Sequence, residues 1–308
     1  MTGVLQGFAV IAVIIGVGFV LGRADVLGEG AQLVLSRFVF FVAAPSLLFT
    51  VVATARTEVL FSAVTVVSAL AAIISAAVYA LVARLLWRRP AASVTVGALS
   101  SGYVNANNIG LPVAVYVLGS PAYTAPVILL QLAVFAPVAL LVLDASTRTG
   151  RRSAGAAVLA SLRNPLIGAA VLGLGVAVVR VPVPALVLEP LRLLAGASVP
   201  LMLVGFGMSL VGARPLAAGD HRRDVVLASL LKLVAMPGIA LALGALVLHL
   251  DADALHVAVV LAALPTAQNV LVYATRYGAG VAIARDAGLI TTVGALPVLV
   301  LASLLLVP

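Results

Sequence analysis

Cysteine is absent, charge is scarce, and acids are scarcer than bases: 9% of the 308 residues are charged and only ten are acidic. Without cysteine the chain forms no disulfides and no thiolate metal sites. A soluble domain carries about 25% charged residues, so the usual solvated surface is missing as well. No Asn-x-Ser/Thr sequon occurs. What fills the chain is apolar, 64% of it, in stretches along the whole length with no soluble-sized polar block between them. This composition predicts an all-α integral membrane protein with a single membrane domain, residues 1–308, and leaves no room for a separate catalytic or nucleic-acid-binding domain. The formal charge of +8 would suggest nucleic acid in a soluble chain. Here the arginines fall at helix ends, and topology accounts for them. His221, His249 and His256 lie at predicted ends or loops without metal spacing and read as surface residues, so no metal or cofactor is expected.

With roughly 20 residues per span as the ruler, ten helices are predicted: 4–22, 31–53, 60–83, 93–119, 122–144, 164–180, 190–212, 224–248, 254–278 and 284–307. The first, from Val4 to Gly22, has no positive segment before it and is read as a span, not as a cleaved leader. If the N-terminus is outside, thirteen arginines face the cytoplasm: Arg23, Arg84, Arg88, Arg89, Arg148, Arg151, Arg152, Arg163, Arg214, Arg222, Arg223, Arg276 and Arg285. Three face the other side: Arg56, Arg180 and Arg192. The asymmetry predicts a multi-pass protein of the plasma membrane with both termini outside. The basic stretch 146–163 reads as a cytoplasmic linker between halves at about 1–145 and 164–308. Five spans precede it, so the second half enters the membrane in the opposite sense, as an inverted repeat does. Pro45 and Pro200 hold matching places in the second and seventh spans.

Two spans are interrupted. Tyr103-Val-Asn-Ala-Asn-Asn-Ile-Gly-Leu-Pro112 puts amides, glycine and proline in the fourth, and Pro265-Thr-Ala-Gln-Asn269 does so in the ninth. Proline lacks an N–H and clashes with the preceding turn, and glycine is permissive. The fourth helix is therefore expected to unwind between about Asn105 and Pro112, and the ninth at Pro265. Broken helix at membrane depth is tolerated only against protein or a watery cavity. Paired breaks in two halves point to a transporter's binding site. Half-helix N-termini carry roughly +0.5 charge each and free N–H groups, so the cavity is biased toward anions. The paired C-terminal carbonyls could hold a cation such as sodium. The candidate substrate-binding residues are Asn105, Asn107, Asn108, Gly110, Pro112, Pro265, Gln268, Asn269 and Lys232.

All ten carboxylates lie at predicted loops or span ends, so none serves as a midplane proton or sodium ligand. Lys232 lies about nine residues into the eighth span. There it either neutralises the carbonyl ends of the broken helices or contacts substrate, unless it snorkels to the cytoplasm. Arg37, nearer a span end, is read as snorkelling. Gln131 is read as interhelical glue, and Gly18-Phe-Val-Leu-Gly22 as a close-packing or dimer spacing.

The segment Asn105-Ala-Asn-Asn-Ile-Gly-Leu-Pro112, with the apolar stretch to Gly119, resembles the fourth helix of the auxin efflux carrier family. Leu264-Pro-Thr-Ala-Gln-Asn-Val-Leu-Val-Tyr-Ala-Thr-Arg-Tyr-Gly278 resembles its ninth. The resemblance implies a membrane carrier of the kind that includes plant PIN auxin exporters and bacterial organic-acid permeases. The implied fold is similar to that of bile acid:sodium symporters, with crossed broken helices 4 and 9. Helices one, two, six and seven would form a scaffold and the other six a transport domain. On that mapping Asn105, Asn108, Pro112, Pro265 and Asn269 match crossover positions. The long cytoplasmic loop of the plant exporters is missing, so their regulation does not carry over.

The expected function is a secondary transporter that moves a small organic anion, an auxin-like carboxylate or a dicarboxylate, by alternating access. It is not expected to be an enzyme. The alternatives are a sodium-coupled symporter of the bile-acid type and, from another class, a ligand-binding membrane sensor. The expected partners are the anion and the lipid bilayer, with a homodimer through the scaffold helices compatible with the pattern and nucleic acid excluded.

Overall fold

The computed structural model describes residues 2–54, 62–147, 165–179, 182–212 and 221–306. Most of the expected linker at 146–163 lies outside the described residues, as do Arg56, Arg180 and Arg214. Each expected span has its helix. These are α1 (Thr2–Arg23), α2 (Ala31–Thr54), α3 (Ala63–Leu86), α4 (Ala91–Gly102) followed by α5 (Leu111–Tyr116), α6 (Ala125–Leu130) followed by α7 (Ala136–Thr147), α8 (Pro165–Val179), α9 (Ala185–Ser209), α10 (Arg222–Val247), α11 (Ala252–Ala262) followed by α12 (Gln268–Tyr277), and α13 (Val281–Leu306). No named strand occurs among the described residues. Five helices, α2, α3, α9, α10 and α13, are long and apolar enough to cross a membrane unbroken.

Proline shapes four of these spans in one way. A wide π-turn ends two residues before Pro45, Pro112, Pro137 and Pro237, at Val39–Ala43, Ala106–Gly110, Gln131–Phe135 and Leu231–Ala235. Proline's ring collides with the carbonyl four residues back. The widened turn moves that carbonyl aside, so the helix bends but continues.

This changes the expectation for the fourth span. Unwinding was expected between Asn105 and Pro112, but the chain leaves helix at Tyr103, stays extended through Asn105, and resumes helix at Ala106. Pro112 is already the second residue of α5. The ninth span opens where expected, between Ala262 and Gln268.

Contacts divide the chain into two units. The first comprises Met1–Ser62, Asn107–Leu129 and Ala160–Ala213. Its closest approach is between α1 and α9, where a Cβ on Gly18 would fall on the Val204 backbone and one on Gly207 on the Ile15 carbonyl. The Gly18/Gly22 spacing therefore packs two helices of the same chain. Gly173 of α8 packs less closely on Phe49 and Val52 of α2, where a Cβ would meet them at 3.0 Å. The second unit comprises Ala63–Ala106, Leu130–Leu159 and Arg214–Pro308. One of its cores joins Tyr79 and Ala83 of α3 to Val225, Ala228 and Leu231 of α10 and Ala287 of α13. Gly97 of α4 accommodates the Tyr79 ring, where a side chain would collide.

Spans one, two, six and seven group together, as the resemblance implies. One segment departs from it: residues 107–129 join that group, because α5 packs on α1 and the turn Pro121–Thr124 on α2. The division falls at the break, where no helix ladder holds the two parts of the fourth span together.

Candidate functional site

The two interruptions meet inside the second unit. Val104 and Thr266 form an antiparallel bridge, Asn105 donates its N–H to the Pro265 carbonyl at 2.8 Å, and Ala267 donates to the Tyr103 carbonyl at 3.0 Å. Each break satisfies the other's backbone, which lipid could not do. The pairing is antiparallel, so the two spans cross in opposite senses. The carbonyl end of α4 is closed by a side chain: Thr266 donates its Oγ1 hydroxyl to the Ser100 carbonyl at 2.6 Å. The Thr266 N–H in turn donates to Thr291 Oγ1 of α13 at 3.1 Å.

The carbonyl end of α11 is closed by Lys232. Its Nζ donates to the Ala262 carbonyl at 3.2 Å and lies 2.9 Å from Met236 Sδ. Lys232 is fully buried, 0% exposed, which rules out snorkelling. No carboxylate pairs with Lys232 among the described residues, so the carbonyl end of the α11 dipole is the negative group its amine meets.

The N-terminal end of α12 differs in its N-cap residue, which supplies no side-chain cap. Ala267 occupies the N-cap and offers no side chain to the first N–H groups, a place where Ser, Thr, Asp or Asn usually accepts them. Gln268, exposed, and Asn269, half-buried, form the first residues of this helix. The buried Tyr103 hydroxyl faces the side chains of Asn269 and Tyr273. The result is an uncapped positive helix end ringed by amide and phenol groups.

Of the nine predicted site residues, Asn105, Pro265, Gln268 and Asn269 come together here, and Lys232 reaches the residue just before the second break. Asn107, Asn108, Gly110 and Pro112 belong to the first unit, on the turn and helix that follow Ala106. Asn107 Nδ2 donates to Asn108 Oδ1 at 2.9 Å, and both residues are half-buried. Gly110 and Pro112 are buried. The partners of Thr266 carry no signal in the sequence, since Ser100 contributes only its backbone carbonyl and Thr291 is a hydroxyl in an otherwise apolar helix.

Three carboxylates at span ends turn out to be buried. Asp224 accepts the Tyr79 hydroxyl at 3.0 Å and the Arg89 guanidinium at 2.7 Å. Asp144 accepts the Tyr277 hydroxyl at 2.7 Å, and Asp286 pairs with Arg285 at 2.6 Å. His256 is not a surface residue: it is half-buried on α11, with Nε2 3.2 Å from Ser303 Oγ of α13. Gln131 is buried and begins the π-turn before Pro137, while Arg37 is exposed. No group of three or more His, Cys, Asp or Glu side chains that could hold a metal occurs among the described residues.

Apolar spans, two of them broken and crossed, are the build of a secondary transporter. The sequence model of the membrane transport protein family matches residues 4–303, nearly the whole chain. The chain belongs to that family, the auxin efflux carriers, and is an integral membrane transporter. No curated protein matches it.

Proposed function

We propose that the protein is a carrier for a small organic anion whose carboxylate docks at the uncapped N-terminus of α12. The observation that carries this reading is the contrast between the helix ends at the crossing. At each carbonyl end one carbonyl accepts a side-chain donor, from Thr266 and from Lys232, while Ala267 leaves the N–H end of α12 without a side-chain cap. A positive helix end without a side-chain cap favours an anion. Gln268, Asn269 and Asn105 supply amides around it, and Tyr103 a hydroxyl. Substrate reaches this site from each side of the membrane in turn, by alternating access. No bond in the substrate changes.

The same contrast argues against sodium coupling at this place, because the Ala262 carbonyl, where a cation would sit, already accepts from Lys232. The charge pattern supports an orientation with both termini outside the plasma membrane. The test is counterflow uptake of labelled malate, indole-3-acetate and taurocholate into proteoliposomes, with and without a sodium gradient. Uptake of a carboxylate without sodium is expected. Strict sodium dependence would favour the symporter, and no uptake of any anion would favour the sensor.

A further inference from the structure

The first unit contains a cleft of about 460 Å³ lined by none of the crossing residues, between the C-terminal parts of α2 and α5 and residues 192–200 of α9. This volume falls within the roughly 300–1,000 Å³ of small-molecule sites. Its walls are apolar, formed by Leu47, Val51, Val115 and Val199, with Tyr116 and Arg192 as the polar groups that can reach a ligand. Thr50 and Thr54 also line it, but their hydroxyls donate to the carbonyls of Ser46 and Thr50 in their own helix.

Arg192 is the informative residue. It is one of the three cations that the charge pattern leaves on the non-cytoplasmic side, a side otherwise kept almost free of them. Its Nη1 pairs with Glu189 at 2.8 Å, but both side chains are more than half exposed, 55% and 60%. Such a pair is worth little, and a guanidinium has five N–H donors, so most of them remain for a ligand. The C-terminal ends of α2 and α5 and the N-terminal end of α9, near which Arg192 lies, are ones the same pattern places outside.

We propose that this cleft is a second anion site, which docks an amphiphilic monocarboxylate arriving from the non-cytoplasmic side. The carboxylate sits on Arg192 beside the Tyr116 hydroxyl, and the apolar body lies against α2, α5 and α9. One cation selects one carboxylate, so a dicarboxylate would have to bury its second charge against valines, which is costly. The occupant touches Val115 and Tyr116 of α5, the half-helix that follows Asn107 and Asn108 in the chain. The proposal rests on the carrier reading for its purpose and on the charge pattern for its side, but its chemistry is independent of the crossing.

Gly196 supplies a clean variant, because a Cβ there meets nothing within 4 Å and Gly196→Leu fills the cleft without disturbing the packing of α9. The experiment is calorimetric binding of 4-phenylbutyrate to the full chain in phosphatidylcholine nanodiscs, with succinate and 4-phenylbutanol as comparisons. Saturable phenylbutyrate binding is expected, at least tenfold weaker in Arg192→Gln and in Gly196→Leu and preserved in Asn269→Ala, with weak binding of both comparison compounds. Unchanged binding in Arg192→Gln and Gly196→Leu overturns the site. Displacement of phenylbutyrate by added phosphatidylglycerol, lost in Arg192→Gln, would assign the cleft to a lipid headgroup and overturn the small acid. Transport that survives Asn269→Ala would count against the crossing alone, and the Arg192-dependent binding would stand.

Discussion

Lys232 and Thr266 do the same task at opposite halves of the crossing: each puts a donor on a carbonyl that a broken helix can no longer satisfy. The cost of losing them differs. Thr266→Val keeps the shape but leaves the buried Ser100 carbonyl without this donor, and is expected to destabilise by about 1–3 kcal/mol, read as a lower melting temperature in detergent. Lys232→Met replaces a buried cation with an apolar chain of similar length. The swap leaves the Ala262 carbonyl without this donor, as Thr266→Val does for Ser100, but also removes the cost of burying an amine, so the melting temperature should fall no further than in Thr266→Val while uptake falls at least tenfold. A large loss of stability with normal uptake would make Lys232 purely structural. The sequence shows the depth of Lys232, because depth follows from counting along a span. Its partner was not legible, since Ala262 lies thirty residues further on and contributes only a backbone oxygen.

At the scale of elements, the breaks were legible and the exact place of one was not. Three asparagines, a glycine and a proline between residues 105 and 112 announce an interruption, with proline as the expected breaker. The π-turn at Ala106–Gly110 absorbs Pro112 instead, and the extended stretch moves to Tyr103–Asn105, where pairing with Pro265 and Ala267 holds it. That pairing is tertiary, so no local pattern reveals it. Helix packing gives a sharper test. Gly205 and Gly207 lie two residues apart in α9, but a Cβ on Gly207 would fall on the Ile15 carbonyl while one on Gly205 meets nothing within 4 Å. Gly207→Ala should destabilise by about 1–3 kcal/mol through overpacking. Gly205→Ala should be neutral or stabilise by about 0.5–1 kcal/mol, because it restricts the unfolded chain. Melting curves of the two variants check this, and equal effects would contradict the α1–α9 contact.

At the scale of the whole molecule, the third and fourth spans echo the eighth and ninth at an offset of 161 residues. The π-turn that ends α3 at Val82–Leu86 returns at Leu243–Val247 in α10. The left-handed Arg88, φ 52°, returns as His249, φ 48°, and Asn108 returns as Asn269. An echo of this kind supports two halves of common design, and the antiparallel bridge at the crossing agrees with their opposite sense. Composition and span counting made the class and span number legible. The grouping of residues 107–129 with the first unit was not, because it depends on α5 packing against α1.

The central claim is the sign of the charge that the crossing accepts, and Asn269→Asp tests it most directly. An aspartate in the first turn of a helix is compatible with the fold and favourable to the dipole, so loss of protein is not expected. If a carboxylate docks at the N-terminus of α12, the added negative charge should abolish carboxylate counterflow by at least a hundredfold at neutral pH, while Asn269→Ser retains most of it. Undiminished or faster uptake in Asn269→Asp would mean that the crossing favours a cation, and the account would be wrong.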